Sequence, residues 1–162
     1  MLRLATDWDA AVREARERRV PIFLSLLLDT CGQCDRTREQ CYRDPRFVAY
    51  ANENLVMVVG HAPGDAFDDP HAELEGGACS LYPGITCAQH IDLYRKGLAV
   101  MGGFSVSPGN FVLHPDRAAP KAGEEAVLVG EWELPKWGNA VDAYIAIFER
   151  ARAALAEEDA GK

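Results

Sequence analysis

The sequence predicts an α/β domain: a central mixed β-sheet with helices on both faces. Three observations carry this. Residues 20–28 form a continuous apolar run of strand length, with Pro21 near its start and Ser25 inside it; such a run suits a strand buried on both faces, which needs helices on either side of the sheet. Residues 55–59 repeat the pattern in Val-rich form. Between and around these runs lie stretches with helical spacing.

In chain order, Thr6 reads as an N-cap with Asp9 three residues on, opening a helix over about residues 7–18. Trp8, Val12 and Ala15 share its inner face; Arg13, Glu14, Glu17 and Arg18 form a solvated outer face. After the 20–28 strand, Cys34, Arg38 and Cys41 fit one helix, which Asp44-Pro45 breaks. Pro45 opens a second helical stretch over 46–52, with Phe47, Tyr50 and Ala51 toward the core. The segment from about Gly60 to Leu81 reads as a loop, with Pro63-Gly64, Asp68-Asp69-Pro70 and Gly76-Gly77 as turn signals, and a loop this long is often functional. Pro83-Gly84 opens a helix carrying Cys87, His90, Ile91 and Tyr94, and Lys96-Gly97 reads as its end. Residues 110–114 and 126–129 form an antiparallel hairpin with a long turn. Val141, Tyr144, Ile145, Phe148, Arg152 and Leu155 mark a last amphipathic helix. The acidic end is expected as a disordered tail, so a single domain is expected over residues 1–157, with an insertion at about 60–97 and a tail at 158–162.

Bulk properties limit the function. The 162 residues carry 25 acidic and 17 basic side chains, a net charge of −8. An acidic surface argues against nucleic acid or an anionic membrane as the main partner. The nine-residue apolar run is far short of the roughly 20 residues of a membrane span. No apolar leader segment with a cleavage site is visible, so the expected compartment is the cytoplasm.

There are five cysteines: Cys31, Cys34, Cys41, Cys79 and Cys87. An odd number cannot all pair within the chain, and in a reducing compartment clustered cysteines point to redox catalysis or metal binding. The Cys31-Gly32-Gln33-Cys34 motif follows a buried strand and opens a helix. Val106-Ser107-Pro108 stands directly before the strand at 110–114. Asp44-Pro45-Arg46-Phe47-Val48 leads into Asn54-Leu55-Val56. On these three features the chain resembles the thioredoxin superfamily over nearly its whole length. The resemblance implies thiol–disulfide exchange at Cys31 and Cys34, and a cis-proline at Pro108 packed beside them, with Gly32, Gln33, Ser107 and Pro108 meeting an extended substrate segment by edge pairing. The implied partners are a protein or small-molecule disulfide and a reductase or other thiol donor; no cofactor is implied. The sequence departs from thioredoxin itself at three places. Thr30 stands where the family usually has Trp, Gln33 where it has Pro, and Ser25 where a buried Asp is usual, so proton transfer to the buried cysteine needs another group.

A cysteine at a helix N-terminus meets unsatisfied N–H groups and the positive end of the helix dipole, both of which stabilise a thiolate. Cys31 is therefore expected to attack and Cys34, one turn in, to resolve. Asp29 and Asp35 oppose the thiolate; Arg36 and Arg38 favour it. Cys41 lies about 10 Å of helical rise beyond Cys34, too far to pair with it, and reads as a small buried hydrophobe. Cys79 and Cys87 flank a turn; a disulfide between them, structural or a second redox pair, stands beside the reading of two unlinked thiols.

Two other function classes remain open at this point. Cys31, Cys34, Cys87 and His90 make a Cys₃His set with spacing suited to zinc, and thiolates also accept copper(I) or an iron–sulfur cluster. The chain is otherwise a non-catalytic interaction module whose cysteines are incidental. His61, His71 and His114 give no spacing signal, and residues 65–69 lack a calcium-loop pattern.

Overall fold

The computed structural model describes residues 1–28, 31–62, 73–103, 109–130, 133–135 and 140–162. Helix α1 (Trp8–Arg18) begins at an N-cap one residue later than Thr6: the Asp7 carboxylate accepts the Ala10 N–H at 2.8 Å. Strand β1 (Ile22–Leu28) follows Pro21, which cannot donate to a ladder. Helix α2 (Gly32–Thr37) runs directly into a π-helical turn (Arg38–Tyr42), and Asp44 caps α3 (Pro45–Asn54). Strand β2 (Val56–Ala62) is longer than its apolar core suggested. Then come α4 (Cys87–Val100), β3 (Gly109–Leu113), β4 (Val127–Val129) and α5 (Val141–Ala160). Among the described residues no helix is long and apolar enough to cross a membrane.

The sheet order is β2-β1-β3-β4. β1 runs parallel to β2, with Ile22 opposite Val56 and Leu27 opposite His61, and antiparallel to β3, with Ser25 opposite Asn110. β4 pairs antiparallel with β3, across a bulge at Val112 and Leu113. The predicted hairpin and mixed sheet are present.

Successive residues of a strand point to opposite faces, and β1 shows what covers each. Phe23 packs on Tyr42, Tyr144 and Phe148, with ring centres 6.2, 5.8 and 5.0 Å away. That face is therefore covered by the π turn and α5, and Phe47 of α3 joins through Tyr144. Leu24 and Leu26 point the other way, against α4 at Gly97. A groove lined by Trp8, Val12, Lys96 and Val100 places α1 beside α4.

Gly97 is thus not a helix stop. α4 runs three residues past it, because a residue without Cβ lets the helix lie close on the leucines. A Cβ at Gly97 would come 2.8 Å from Leu26 Cδ2. Gly60 makes the matching approach from β2: a Cβ there would lie 2.6 Å from the Tyr94 Cα of α4.

The acidic end also departs from expectation. α5 continues to Ala160 because its last turns are held by distant partners. Arg19 pairs with Asp159 and with Asp116. Arg117 lies 2.6 Å and His114 Nε2 3.2 Å from the Glu158 carboxylate. His114 Nδ1 accepts the Asp116 N–H at 3.1 Å, so the neutral ring carries its proton on Nε2, facing Glu158.

Gly60→Ala is expected to destabilise the fold by about 1–3 kcal/mol, because the clash is with helix backbone. Gly97→Ala is expected to be near neutral: its neighbours are leucine side-chain ends, and alanine gains roughly 1 kcal/mol of helix propensity. Urea unfolding of both variants checks the order; an equal loss would mean that α4 does not sit as close at Gly60 as described.

Burial first, and the Arg117 guanidinium next, hold the His114 imidazole below its ordinary value of 6.5. The unfolded chain then takes up this proton before the folded one. The contribution of His114 to stability is complete above about pH 6.5 and is lost as the pH falls. His114→Gln should therefore flatten the dependence of unfolding free energy on pH between about pH 5 and pH 7; an unchanged slope would assign it to another group.

Candidate active site

β1 delivers the chain to the Cys31 motif at its C-terminal end. The Cys31 N–H bonds back to the Leu28 carbonyl at 3.3 Å, and extended φ/ψ at Cys31 make it the N-cap of α2. Its Sγ accepts the Cys34 N–H at 3.2 Å. The two sulfurs are bonded, with Cα atoms 5.2 Å apart, within the range a disulfide allows. The pair is unequal: Cys31 is half-buried and followed by exposed Gly32, whereas Cys34 is 2% exposed. Gln33 is half-buried, and among the described residues its Nε2 has no acceptor. Ser107 and Pro108, expected beside the pair, lie outside the described residues, as do Asp29, Thr30, His71 and residues 65–69.

The helix after the pair changes register. The Thr37 hydroxyl donates to the Gln33 carbonyl at 3.0 Å, and the next turn is π-helical. Side-chain bonding of this kind competes with the backbone ladder, and a π turn re-aims side chains. Arg38, Cys41 and Tyr42 all end up buried. Arg38 is 8% exposed; its Nη1 donates to Asp35 at 2.9 Å and its Nε to Glu39 at 3.0 Å. Its guanidinium carbon lies 5.9 Å from the centre of the Tyr82 ring. For Cys41, burial and the nearby Asp44 carboxylate push the thiol up to about 12, which fits the small-hydrophobe reading.

Ser25 occupies the middle of β1 and is fully buried. Its hydroxyl donates to Asn110 Oδ1 at 2.7 Å, so the Tyr42 hydroxyl, 2.9 Å away, is the donor to Ser25. Asn110 Nδ2 donates to the Tyr144 hydroxyl at 3.4 Å, and Tyr144 donates to the Pro135 carbonyl at 3.0 Å. Where the family resemblance would put a buried carboxylate, this chain has a neutral hydrogen-bond chain across β1, β3 and α5.

Within the expected insertion, residues 73–86 are among those described. Ala78 pairs with Thr86, and the Cys79 N–H bonds to the Ile85 carbonyl. Cys79 Sγ accepts the N–H groups of Leu81 and Tyr82, each at 3.4 Å. Cys87 is the first residue of α4, which starts there rather than at Pro83-Gly84, behind a capping box between Thr86 and Gln89. The structure does not join Cys79 to Cys87; both are buried thiols. The register sets Cys79 against Ile85, and the chain has turned into the helix by Cys87.

His90 is fully buried, with Nδ1 2.7 Å from the Val59 carbonyl, so this nitrogen carries a proton. Its ring centre lies 5.0 Å from Tyr82 and 6.1 Å from His61. Among the described residues no three His, Cys, Asp or Glu side chains converge on a possible metal position. The Cys31, Cys34, Cys87 and His90 set is not gathered at one point in this structure, and the first two are bonded to each other.

Nothing in the residue pattern marks Tyr82 or His61 for this end of the sheet. His61 is placed by the β1–β2 register, opposite Leu27. The burial of Arg38 did have a signal, its helical spacing from Cys34, but helical spacing alone does not say that a π turn follows.

Comparison with known proteins agrees with this architecture. Residues 3–77 match the thioredoxin-like family model. A solved structure described as "DsbH Oxidoreductase" superimposes with a TM-score of 0.60 at 16% sequence identity, covering 94% of this chain and 85% of that one. At that identity the likeness establishes the fold, which is thioredoxin-like. No curated protein matches the chain.

Ser25→Ala is expected to cost about 1–3 kcal/mol, because it strips a partner from both Tyr42 and Asn110 inside the core. Tyr42→Phe should cost less, since the Ser25 hydroxyl keeps Asn110 as its acceptor. Chemical unfolding of the two variants checks this; equal losses would place the weight on Tyr42 instead.

Proposed function

We propose that this member of the thioredoxin superfamily is a thiol–disulfide oxidoreductase acting through Cys31 and Cys34. One observation carries the reading: the two cysteines form a disulfide at the start of a helix, with the first within reach of a partner and the second buried. The fold and the family match support it.

In the reducing direction, the reduced pair starts with the Cys31 thiolate. Sγ of Cys31 attacks one sulfur of a partner disulfide; a mixed disulfide forms and the other partner sulfur leaves as a thiolate. Cys34 then gives up its proton, and its sulfur attacks Cys31 Sγ. The second partner thiolate leaves, and the Cys31–Cys34 bond forms. The partner has gained two electrons and the pair has lost them. A thiol donor restores the pair, and the reverse sequence oxidises a dithiol. The Cys34 N–H, which points at Cys31 Sγ, favours the thiolate by hydrogen bonding. The substrate class is an accessible protein or small-molecule disulfide, met by Gly32 and Gln33 together with Ser107 and Pro108. The other three cysteines are buried and take no part in this scheme.

Reduced protein should accelerate the reduction of insulin by dithiothreitol. Cys31→Ser should abolish that acceleration, and Cys34→Ser should accumulate a mixed disulfide with the partner. Undiminished activity in Cys31→Ser would sink the assignment; no acceleration by the unmodified protein would leave the interaction-module reading standing.

A further inference from the structure

Cys31 and Asp35 stand four positions apart, as do Cys34 and Arg38. The backbone bonds of α2 confirm this stacking: the Asp35 N–H donates to the Cys31 carbonyl at 3.2 Å, and the Arg38 N–H reaches the Asp35 and Cys34 carbonyls. Side chains four apart on a helix are neighbours. Arg38 therefore stands over the resolving cysteine, and Asp35, one turn beyond the N-cap Cys31, lies at the same end of α2 as the attacking sulfur.

An uncompensated carboxylate at that place would raise the energy of the Cys31 thiolate. It is compensated. Arg38 holds Asp35 at 2.9 Å with one nitrogen and Glu39 at 3.0 Å with another. Arg43 in turn pairs with Glu39. Arg36 is exposed and lies off this face. From the segment between β2 and α4, Tyr82 covers the guanidinium and is itself 4% exposed. Tyr82 is backed by the rings of His61 from β2 and His90 from α4, and Cys79 accepts its N–H. The arginine side chain is left 10% exposed while that of Asp35 is 48% exposed. A buried charge is screened less than an exposed one.

We infer that Arg38 is a positioning residue for the redox pair: it fixes Asp35 and cancels its charge beside Cys31, while Tyr82 shields the guanidinium from water. The inference rests on the exchange reading for its purpose, but its physical content concerns the Cys31 thiolate alone.

The test is the rate at which iodoacetamide alkylates Cys31 in fully reduced protein, followed across pH by mass spectrometry of the Cys31 peptide with no partner present. Asp35→Asn should lower the midpoint by about half to one pH unit, and Arg38→Gln should raise it by a similar amount. The double variant should return close to the unmodified protein, and Arg38→Lys, which keeps the charge, should stay near it. Tyr82→Ala should shrink the Arg38→Gln shift. A purely structural Arg38 would not produce opposite shifts that cancel. Single variants that move the midpoint in the same direction, or leave it unmoved, would overturn the inference. If Arg38→Gln does not fold, Asp35→Asn decides alone, since its side chain is half exposed. The insulin assay on unmodified protein separates the two readings. Failure there with opposite midpoint shifts removes the exchange function only; activity there with unmoved midpoints removes the role of Arg38 only.

Discussion

β1 has hydrogen-bonded neighbours on both edges and helices against both faces, and this double burial governs the rest of the molecule. A strand so placed accepts apolar side chains freely and any polar one only if its partners come with it. Ser25 is the exception, and three elements are arranged to satisfy it: Tyr42 donates to it, Asn110 accepts from it, and Tyr144 takes the remaining Asn110 bond. The same burial requires α4 to lie close on Leu24 and Leu26, which is why glycine stands at positions 60 and 97. It also explains where chemistry can occur. The chain leaves the enclosed sheet at Leu28, which is already half-buried, and Cys31 beyond it is half-buried too.

Polar groups in this part of the chain fall into two sets. The neutral set, centred on Ser25, lies inside the sheet–helix core and carries no net charge to be desolvated. The ionic set, Asp35, Arg38, Glu39 and Arg43, follows the helix outward, where its acidic members reach water. A carboxylate buried at Ser25 would have faced the desolvation penalty that makes such groups hold a proton. With serine there, this set offers hydrogen bonds but no carboxylate. Charge control over the cysteine pair then passes to the helix surface, where Arg38 is buried and held by two carboxylates.

The legible and illegible parts of the sequence divide along the same line. β1, the Cys31 motif and the β3–β4 hairpin were readable because each is specified by residues adjacent in the chain: an apolar run, a pair three apart, two strands with a turn. Gly97 was misread as a helix end because a glycine inside a helical pattern has two meanings, and only the leucines on β1 decide between them. Residues 158–160 read as a solvated tail because their partners, Arg19, His114 and Arg117, lie far away in sequence. The spacing of Cys87 and His90 fits a ligand pair, but spacing does not reveal that His90 Nδ1 faces the Val59 carbonyl. Thr37, whose hydroxyl turns inward to Gln33, precedes a π turn that no helical periodicity announces.

The segment between β2 and α4 looks at first like length added to a small fold. Its described part, however, folds back on itself through the Ala78–Thr86 pairing and presents Tyr82 inward. An arginine one turn beyond a helical cysteine pair would ordinarily lie in solvent, where salt and side-chain motion reduce its influence to little. Two features prevent that here. The π turn brings Arg38 to the inner side, and Tyr82 closes over it with the His61 and His90 rings behind. Burial of a lone guanidinium would be costly; this one keeps two carboxylate partners whose own charges remain partly hydrated. The cation is thereby held in one place without losing its counter-charges. A fixed charge of this kind acts on a nearby thiolate more strongly than a mobile one. Residues 73–86 thus contribute to the site by deciding how much water reaches the arginine one turn beyond the cysteine pair.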